Sequence, residues 1–286
     1  MEAHNPYSLF PVINCGPDWL TCTSKRRGVS NDLEDWAMDH LQKEFAGSGR
    51  VLPAKCLGFS GHRGVGLFVG QRIGEVMVQL SGPRCAPLAI EAIRLASNVS
   101  RIDLQVTVWT EGEQPHLATW TYKQMLAQRH GSGRPGSFKL IVGHPDGETM
   151  TINKRISDSY GRLYDKTAEA RLGAPRLLWR YEVEWKRREA QSLATRLARL
   201  QCSPTSVCKL VHAWYTKKGV EPCFTSDSTR NAFEPLTVEL DRDILTWFRS
   251  SVRISIQRAI NKHGRDAVLD ALGLSNVLQR GPTNGH

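Results

Sequence analysis

The stretch Arg162-Leu163-Tyr164-Asp165-Lys166, followed by Arg180-Tyr181-Glu182-Val183-Glu184-Trp185, decides how the chain is read. Side chains of extended backbone alternate, so the first piece would carry Arg162, Tyr164 and Lys166 on one face and Leu163 and Asp165 on the other. The second piece alternates more cleanly, with Trp179, Tyr181, Val183 and Trp185 apolar and Arg180, Glu182, Glu184 and Lys186 charged. Cations beside a phenol favour the phenolate and make tyrosine a better nucleophile. Two carboxylates on one strand face repel unless a cation sits between them, and hard oxygen donors select magnesium or manganese.

Upstream, Arg101-Ile102-Asp103-Leu104-Gln105-Val106-Thr107-Val108 alternates strictly, with Ile102, Leu104, Val106 and Val108 on one face and Arg101, Asp103, Gln105 and Thr107 on the other. If this strand neighbours the acidic one, Asp103 joins Glu182 and Glu184 as a metal ligand facing the tyrosine. That is equipment for phosphoryl transfer on DNA, with metal polarising a phosphate and a phenol oxygen attacking it. The residues alone leave plainer readings open. These are a strand tyrosine with a bonded hydroxyl, a cross-strand ion pair of Glu182 with Arg180 or Lys186, and an ordinary half-exposed strand around Asp103.

Outside these strands the pattern is mixed. Asp18 to Thr23 reads as a first strand, and Asn31 with Glu34 as a capping box for a helix to about Phe45. Gly47 to Gly49 reads as a loop, followed by strands at Gly66–Val69 and Val76–Leu80. A helix from Pro87 to about Ala96 and another from Trp120 to about Gln128 flank the Asp103 strand. Strands are expected at Phe138–Val142 and Thr149–Ile152. Leu193, Leu197 and Leu200 mark an amphipathic helix beyond Arg187. Leu245, Phe248, Val252, Ile256 and Ile260 mark another, with Asp241 as its cap and Gly264 as its stop, and Ala267 to Leu272 closes the chain. The order echoes itself, which suggests a divergent internal duplication. Gly131 to Gly136 lacks the Lys-Ser/Thr ending of a phosphate-binding loop.

Composition limits the partners. With 286 residues, 40% hydrophobic and 23% charged, the chain is globular. Its 38 Lys and Arg against 28 Asp and Glu give a net charge of +10, the footprint of a polyanion partner. No apolar run of about 18 residues is present, and Met1-Glu2-Ala3-His4-Asn5-Pro6 is no export signal, so a cytoplasmic protein with no membrane partner is expected. The seven cysteines contain no Cys-x-x-Cys pair and read as buried free thiols. The spacing of Cys202, Cys208, His212 and Cys223 matches no familiar zinc pattern.

These residues resemble, in order, the replication initiation factor family, the Rep_trans-type rolling-circle initiators of plasmids, filamentous phages and some conjugative elements. Asp18-Trp19-Leu20-Thr21 resembles its opening strand, Ser81-Gly82-Pro83-Arg84-Cys85 its Ser-Gly-x-x-Cys turn, and Arg101-Ile102-Asp103-Leu104 its acidic strand. Ser157-Asp158 with Arg162-Leu163-Tyr164-Asp165-Lys166 resembles its tyrosine motif, and Trp179-Arg180-Tyr181-Glu182 its Arg-x-Glu strand. Leu245 to Arg249 and Ala267 to Leu274 resemble its closing helices.

The resemblance implies an origin-specific nickase that forms a 5′-phosphotyrosine and frees a 3′ hydroxyl to prime rolling-circle synthesis. It makes Tyr164 the nucleophile and gives Asp103 and Glu182 the Mg2+ or Mn2+. It sets Arg162, Lys166 and Arg180 on phosphate. Partners would be double- and single-stranded origin DNA, a host helicase and a second copy of the chain. The nine histidines include no His-x-His pair, which excludes the commoner His-based rolling-circle chemistry.

Members of the family often carry a second acid where this chain has Thr107, and Glu184 is the candidate replacement. Tyr160 is an alternative nucleophile. Two other functions remain compatible: a relaxase acting at a conjugative transfer origin, and a non-catalytic DNA-binding regulator. The expected fold is α+β, with a largely antiparallel sheet and flanking helices. Residues 1–200 would form the catalytic core, and 201–286 a C-terminal region whose helices pack on it. DNA would be held through basic segments such as Lys25-Arg26-Arg27 and the helix bearing Arg187, Arg188, Arg196 and Arg199.

Overall fold

A computed structural model describes residues 9–26, 31–48, 51–110, 116–129, 137–143, 147–170, 178–224, 260–262 and 264–271. It divides into two compact units, residues 1–236 and 237–286. Of the first unit, the described part is an α+β structure built on one ten-stranded sheet in which every neighbouring pair is antiparallel.

In chain order the elements are β1 (Val12–Lys25), α1 (Asp32–Ser48), β2 (Leu52–Cys56), β3 (Phe59–Gly64), β4 (Leu67–Arg72) and β5 (Glu75–Ser81). A 3₁₀ turn (Gly82–Arg84) leads to α2 (Cys85–Leu95), β6 (Asn98–Trp109), α3 (Leu117–Arg129), β7 (Phe138–Gly143) and β8 (Gly147–Ile152). Then come β9 (Ser159–Asp165), the short α4 (Lys166–Glu169), β10 (Leu178–Lys186), α5 (Arg187–Arg199) and α6 (Pro204–Lys217).

The sheet order, β2-β3-β4-β5-β1-β6-β10-β9-β8-β7, bears out the duplication. Each half is a long strand, a helix, a four-stranded meander and a further helix, and the last meander strand returns to pair with the long one. The two long strands, β1 and β6, run antiparallel at the centre, and Trp19 sits opposite Asp103. That pair marks a pseudo-twofold axis, because Trp19 pairs with Ser81 as Asp103 pairs with Glu184.

One face of the sheet is apolar and carries the helices. Ile102, Leu104, Val106 and Val108 of β6 share this core with Trp179, Tyr181, Val183 and Trp185 of β10, as their alternation requires. Against them lie Leu33, Ala37 and Leu41 of α1, Ala89 and Ala92 of α2, Leu117 of α3, Leu193 and Leu197 of α5, and Val207 and Val211 of α6. Asn31 caps α1 as its spacing indicated, accepting from the Glu34 backbone N–H at 3.2 Å.

Several elements differ from the sequence expectation. Strand β1 begins at Val12, because register shifts beside Pro17 let the strand continue past a residue that has no N–H to give. Gly47 and Ser48 belong to α1 and not to a loop. Strands β2 and β3 carry Pro53, Gly61 and Gly64 and no alternation. Their hairpin turns at Leu57 and Gly58, with φ of 50° and 82°. Helix α6 has no counterpart among the sequence expectations. Ser203 caps it, its hydroxyl accepting from the Ser206 N–H at 3.3 Å.

In the second unit, Gly264 takes a φ of 84° and closes the turn at Ile260, its N–H donating to the Ile260 carbonyl at 2.9 Å. Arg265–Ala271 (α7) follows. The amphipathic stretch from Asp241 to Ala259 and the loop Gly131–Gly136 lie outside the described residues. Among those residues, no helix is long and apolar enough to cross a membrane.

Candidate active site

Three adjacent strands bring most of the expected residues together on the face away from the helical core. Across the β6–β10 pair, Glu184 stands opposite Asp103, Glu182 opposite Gln105 and Arg180 opposite Thr107. Across the β10–β9 pair, Glu182 faces Arg162, Arg180 faces Tyr164 and Glu184 faces Tyr160. Period two and antiparallel register are sufficient to assemble this group from three distant segments.

Cations close over the acids, leaving Asp103, Glu182 and Glu184 only 2%, 3% and 2% exposed. Arg101 donates from Nε to Asp103 Oδ1 at 2.8 Å and from Nη2 to Asp103 Oδ2 at 2.5 Å. The same Nη2 lies 3.2 Å from Glu184 Oε2, and the guanidinium stacks 4.7 Å from the Trp19 ring. Lys186 Nζ lies 2.6 Å from Glu184 Oε1. Arg162 donates to Glu182 Oε1, and the Tyr164 hydroxyl donates to Glu182 Oε2 at 3.1 Å.

Lys166 is not in this group. Strand β9 ends at Asp165, whose carboxylate accepts from the Ala168 N–H at 2.9 Å and caps α4, so Lys166 starts a helix and pairs with Glu169. The cations beside Tyr164 are instead Arg180, its cross-strand partner, and Arg162, whose guanidinium lies 5.7 Å from the tyrosine ring.

The expectation of a favoured phenolate is also corrected. Burial, and next the Glu182 carboxylate, push the Tyr164 hydroxyl well above its usual range, against the opposing pull of Arg180 and Arg162. Burial likewise raises the Asp103 carboxyl to about 7, with Glu182 and Glu184 adding to the rise and Arg101 opposing it.

Thr107, at the position of the missing acid, has a different part. Its hydroxyl donates to Gln105 Oε1 at 2.7 Å and accepts from Arg180 Nε at 3.0 Å. Asp18 lies 3.7 Å from Arg180 Nη1, so the guanidinium is steadied from β1 as well. The sequence pattern assigns Arg101, Thr107 and Asp18 no direct role in the site. Arg101 and Asp103, two apart on one strand face, offered a readable sign, whereas the Asp18 contact depends on the β1–β6 register.

The donor chemistry suits a hard divalent cation, since three buried carboxylates share one face and Glu184 Oε2 has no hydrogen-bond partner despite the nearby Arg101. As the side chains stand, no group of three His, Cys, Asp or Glu among the described residues is gathered closely enough to hold an ion. Arg101 and Arg162 lie directly against these carboxylate oxygens.

The first half of the sheet holds no copy of this site. At the symmetry-related places Gly70 stands for Tyr164, Gln79 for Glu182, Ser81 for Glu184 and Trp19 for Asp103. A Cβ on Gly70 would lie 2.5 Å from the Phe68 ring, so that space is filled by the Phe59, Phe68 and Met77 cluster. The arginine-rich α5 lies across the sheet from Tyr164. Its Arg199, with Arg94 of α2, borders a cleft of about 380 Å³ on the helical side. Arg26 bonds Gln71 at 3.1 Å, and Arg27 lies outside the described residues.

No family model and no curated protein sequence matches the chain. Its fold does match a solved structure, that of a rolling circle replication initiator protein from Geobacillus stearothermophilus. The two are 18% identical with a TM-score of 0.52, and the match covers 71% of this chain and 84% of that one. The likeness is one of fold.

Proposed function

We propose that the protein is a rolling-circle replication initiator that nicks and rejoins one strand of origin DNA through Tyr164. The observation that carries this reading is the Tyr164 hydroxyl hydrogen-bonded to the buried Glu182 carboxylate, with Arg162 and Arg180 on either side. The shared fold with a rolling circle replication initiator supports it.

In the proposed reaction Glu182 takes the phenol proton as the Tyr164 oxygen attacks the scissile phosphorus. The new O–P bond forms as the bond to the 3′ oxygen breaks; that oxygen takes a proton from solvent and leaves as a hydroxyl, while Glu182 gives the phenol proton up to solvent. A 5′-phosphotyrosine remains on the chain, and reversal rejoins the strand. Arg162 and Arg180 offset the charge developing on the phosphate oxygens. The raised hydroxyl makes Tyr164 a poor nucleophile by itself, which is why the proton acceptor must be in contact with it. Asp103, Glu182 and Glu184 would hold Mg2+ or Mn2+, which would supply charge stabilisation at the phosphate.

The test mixes the protein with a supercoiled circle bearing the cognate origin, in Mg2+ or Mn2+. Wild type should yield a nicked circle and a covalent protein–DNA adduct, and Tyr164→Phe neither. Absence of both products with wild type refutes catalysis and favours a DNA-binding regulator. An adduct that persists in Tyr164→Phe and vanishes in Tyr160→Phe moves the nucleophile. Nicking at a transfer origin in place of a replication origin makes the protein a relaxase.

A further inference from the structure

Asp103 and Glu184 face each other directly across the β6–β10 pair, and each is almost fully buried. Two such carboxylates are tolerated side by side when a cation lies between them. Here it is Arg101, bonded twice to Asp103 and close to Glu184. With Asp103 ionised the local charges balance, Asp103, Glu182 and Glu184 being set against Arg101, Arg162 and Lys186. A divalent ion entering this group leaves it strongly positive unless one resident cation departs.

Arg101 is the one placed to depart. It alone bridges the facing pair, and its side chain, 25% exposed beside Lys186 at 22% and Arg162 at 33%, has an outer edge that reaches solvent. It leans on the Trp19 ring, a contact that its aliphatic stem can keep when the guanidinium turns outward. Lys186, by contrast, is also tied to the Arg155 carbonyl, and Arg162 is tied to the carboxylate that contacts Tyr164. Removing Arg101 leaves the Asp103 carboxylate without its cation and Glu184 held by Lys186 through Oε1, so that Glu184 Oε2, which has no hydrogen-bond partner, is open to a divalent ion alongside Asp103.

We propose that Arg101 is a placeholder cation: it occupies the Asp103–Glu184 pair while DNA is absent and transfers to a DNA phosphate when the strand binds, which opens the pair to the metal. DNA and metal then bind with positive coupling, each strengthening the other. Charging of the carboxylate pair is tied to the presence of a strand, which limits metal-assisted attack to loaded protein. This inference rests on the metal reading of the site.

The experiment measures Mn2+ binding to the full chain from the free-ion EPR signal, with and without a single-stranded oligonucleotide carrying a non-cleavable linkage. Arg101→Met removes the charge and keeps a stem to lie on Trp19. Without DNA it should bind Mn2+ about tenfold or more tightly than wild type, and the oligonucleotide should tighten wild type far more than the variant. Arg101→Lys keeps a charge but loses the two-pronged grip, so it should fall between them, and it serves if Arg101→Met does not fold. Asp103→Asn and Glu184→Gln should lose the ion.

If wild type binds Mn2+ through Asp103 and Glu184 while neither Arg101 variant binds it more tightly, the placeholder is refuted and the metal site stands. If no form binds Mn2+ and nicking continues in chelator, the metal reading fails and the placeholder falls with it.

Discussion

Asp103 should make the protein lose stability as the solution becomes less acidic, contrary to the usual behaviour of a paired carboxylate. Its carboxyl titrates near 7 when folded, against 3.8 for the free group, because burial and two neighbouring acids outweigh Arg101. Between those values the folded chain holds a proton that the unfolded chain has lost. The contribution is therefore full below the unfolded value and disappears as pH rises through the folded one. Linkage over that interval gives a loss of about 2.5 kcal/mol from about pH 5 to about pH 8 in chelator. For a unit of this size that amounts to roughly 5–10 °C in melting temperature. Thermal and urea melts of wild type and Asp103→Asn at the two pH values isolate the group, since every other titration is common to both. Wild type should fall relative to the variant. Parallel curves refute the assignment of a strained, proton-holding carboxyl at this position.

Two further substitutions probe how the helical side supports the site. Gly161→Ala on β9 would set a Cβ 2.4 Å from Trp214 Cζ3 and 2.5 Å from Cη2, on a ring that is 8% exposed, and should cost about 1–3 kcal/mol in urea melts; an unchanged midpoint contradicts that packing. Tyr215→Phe removes a buried hydroxyl that contacts the Arg162 carbonyl at 2.6 Å and the Glu182 carbonyl at 3.2 Å, on the two strands that carry the hydrogen-bonded Tyr164 and Glu182. It should lose about 1–3 kcal/mol and slow adduct formation while leaving DNA affinity unchanged. Equal rates in this variant show that the strand pair needs no such brace.

The alternation of Ile102 to Val108 and of Trp179 to Trp185 was legible because each strand keeps one face apolar and the other polar, although both are buried. Two such strands sufficed to place Asp103, Glu182 and Glu184 together. What the sequence concealed was register and competition. Lys166 counts as a neighbour of Tyr164 by parity, but Asp165 prefers to cap a helix turn, and the chain leaves the strand one residue earlier. Counting cations around Tyr164 favoured a phenolate, whereas the group in contact with its hydroxyl is Glu182, contributed by the next strand. The vacant acid position at Thr107 became meaningful only with Arg180 against it. Strands β2 and β3 stayed hidden because Pro53 suits an edge strand and the glycines remove the side chains whose alternation is read.

The antiparallel meeting of β1 and β6 also bears on how the chain is made. Every contact within a meander is local, but β1 must wait for β6 before its second edge is paired, and during synthesis that edge is open to any foreign strand. The side of β1 that awaits β6 carries Pro17 and three register shifts, near Val12, Pro17 and Thr21. An irregular edge with a missing N–H is a poor template for a stranger. The same irregularities that let β1 join its counterpart make its unpaired edge selective for that counterpart.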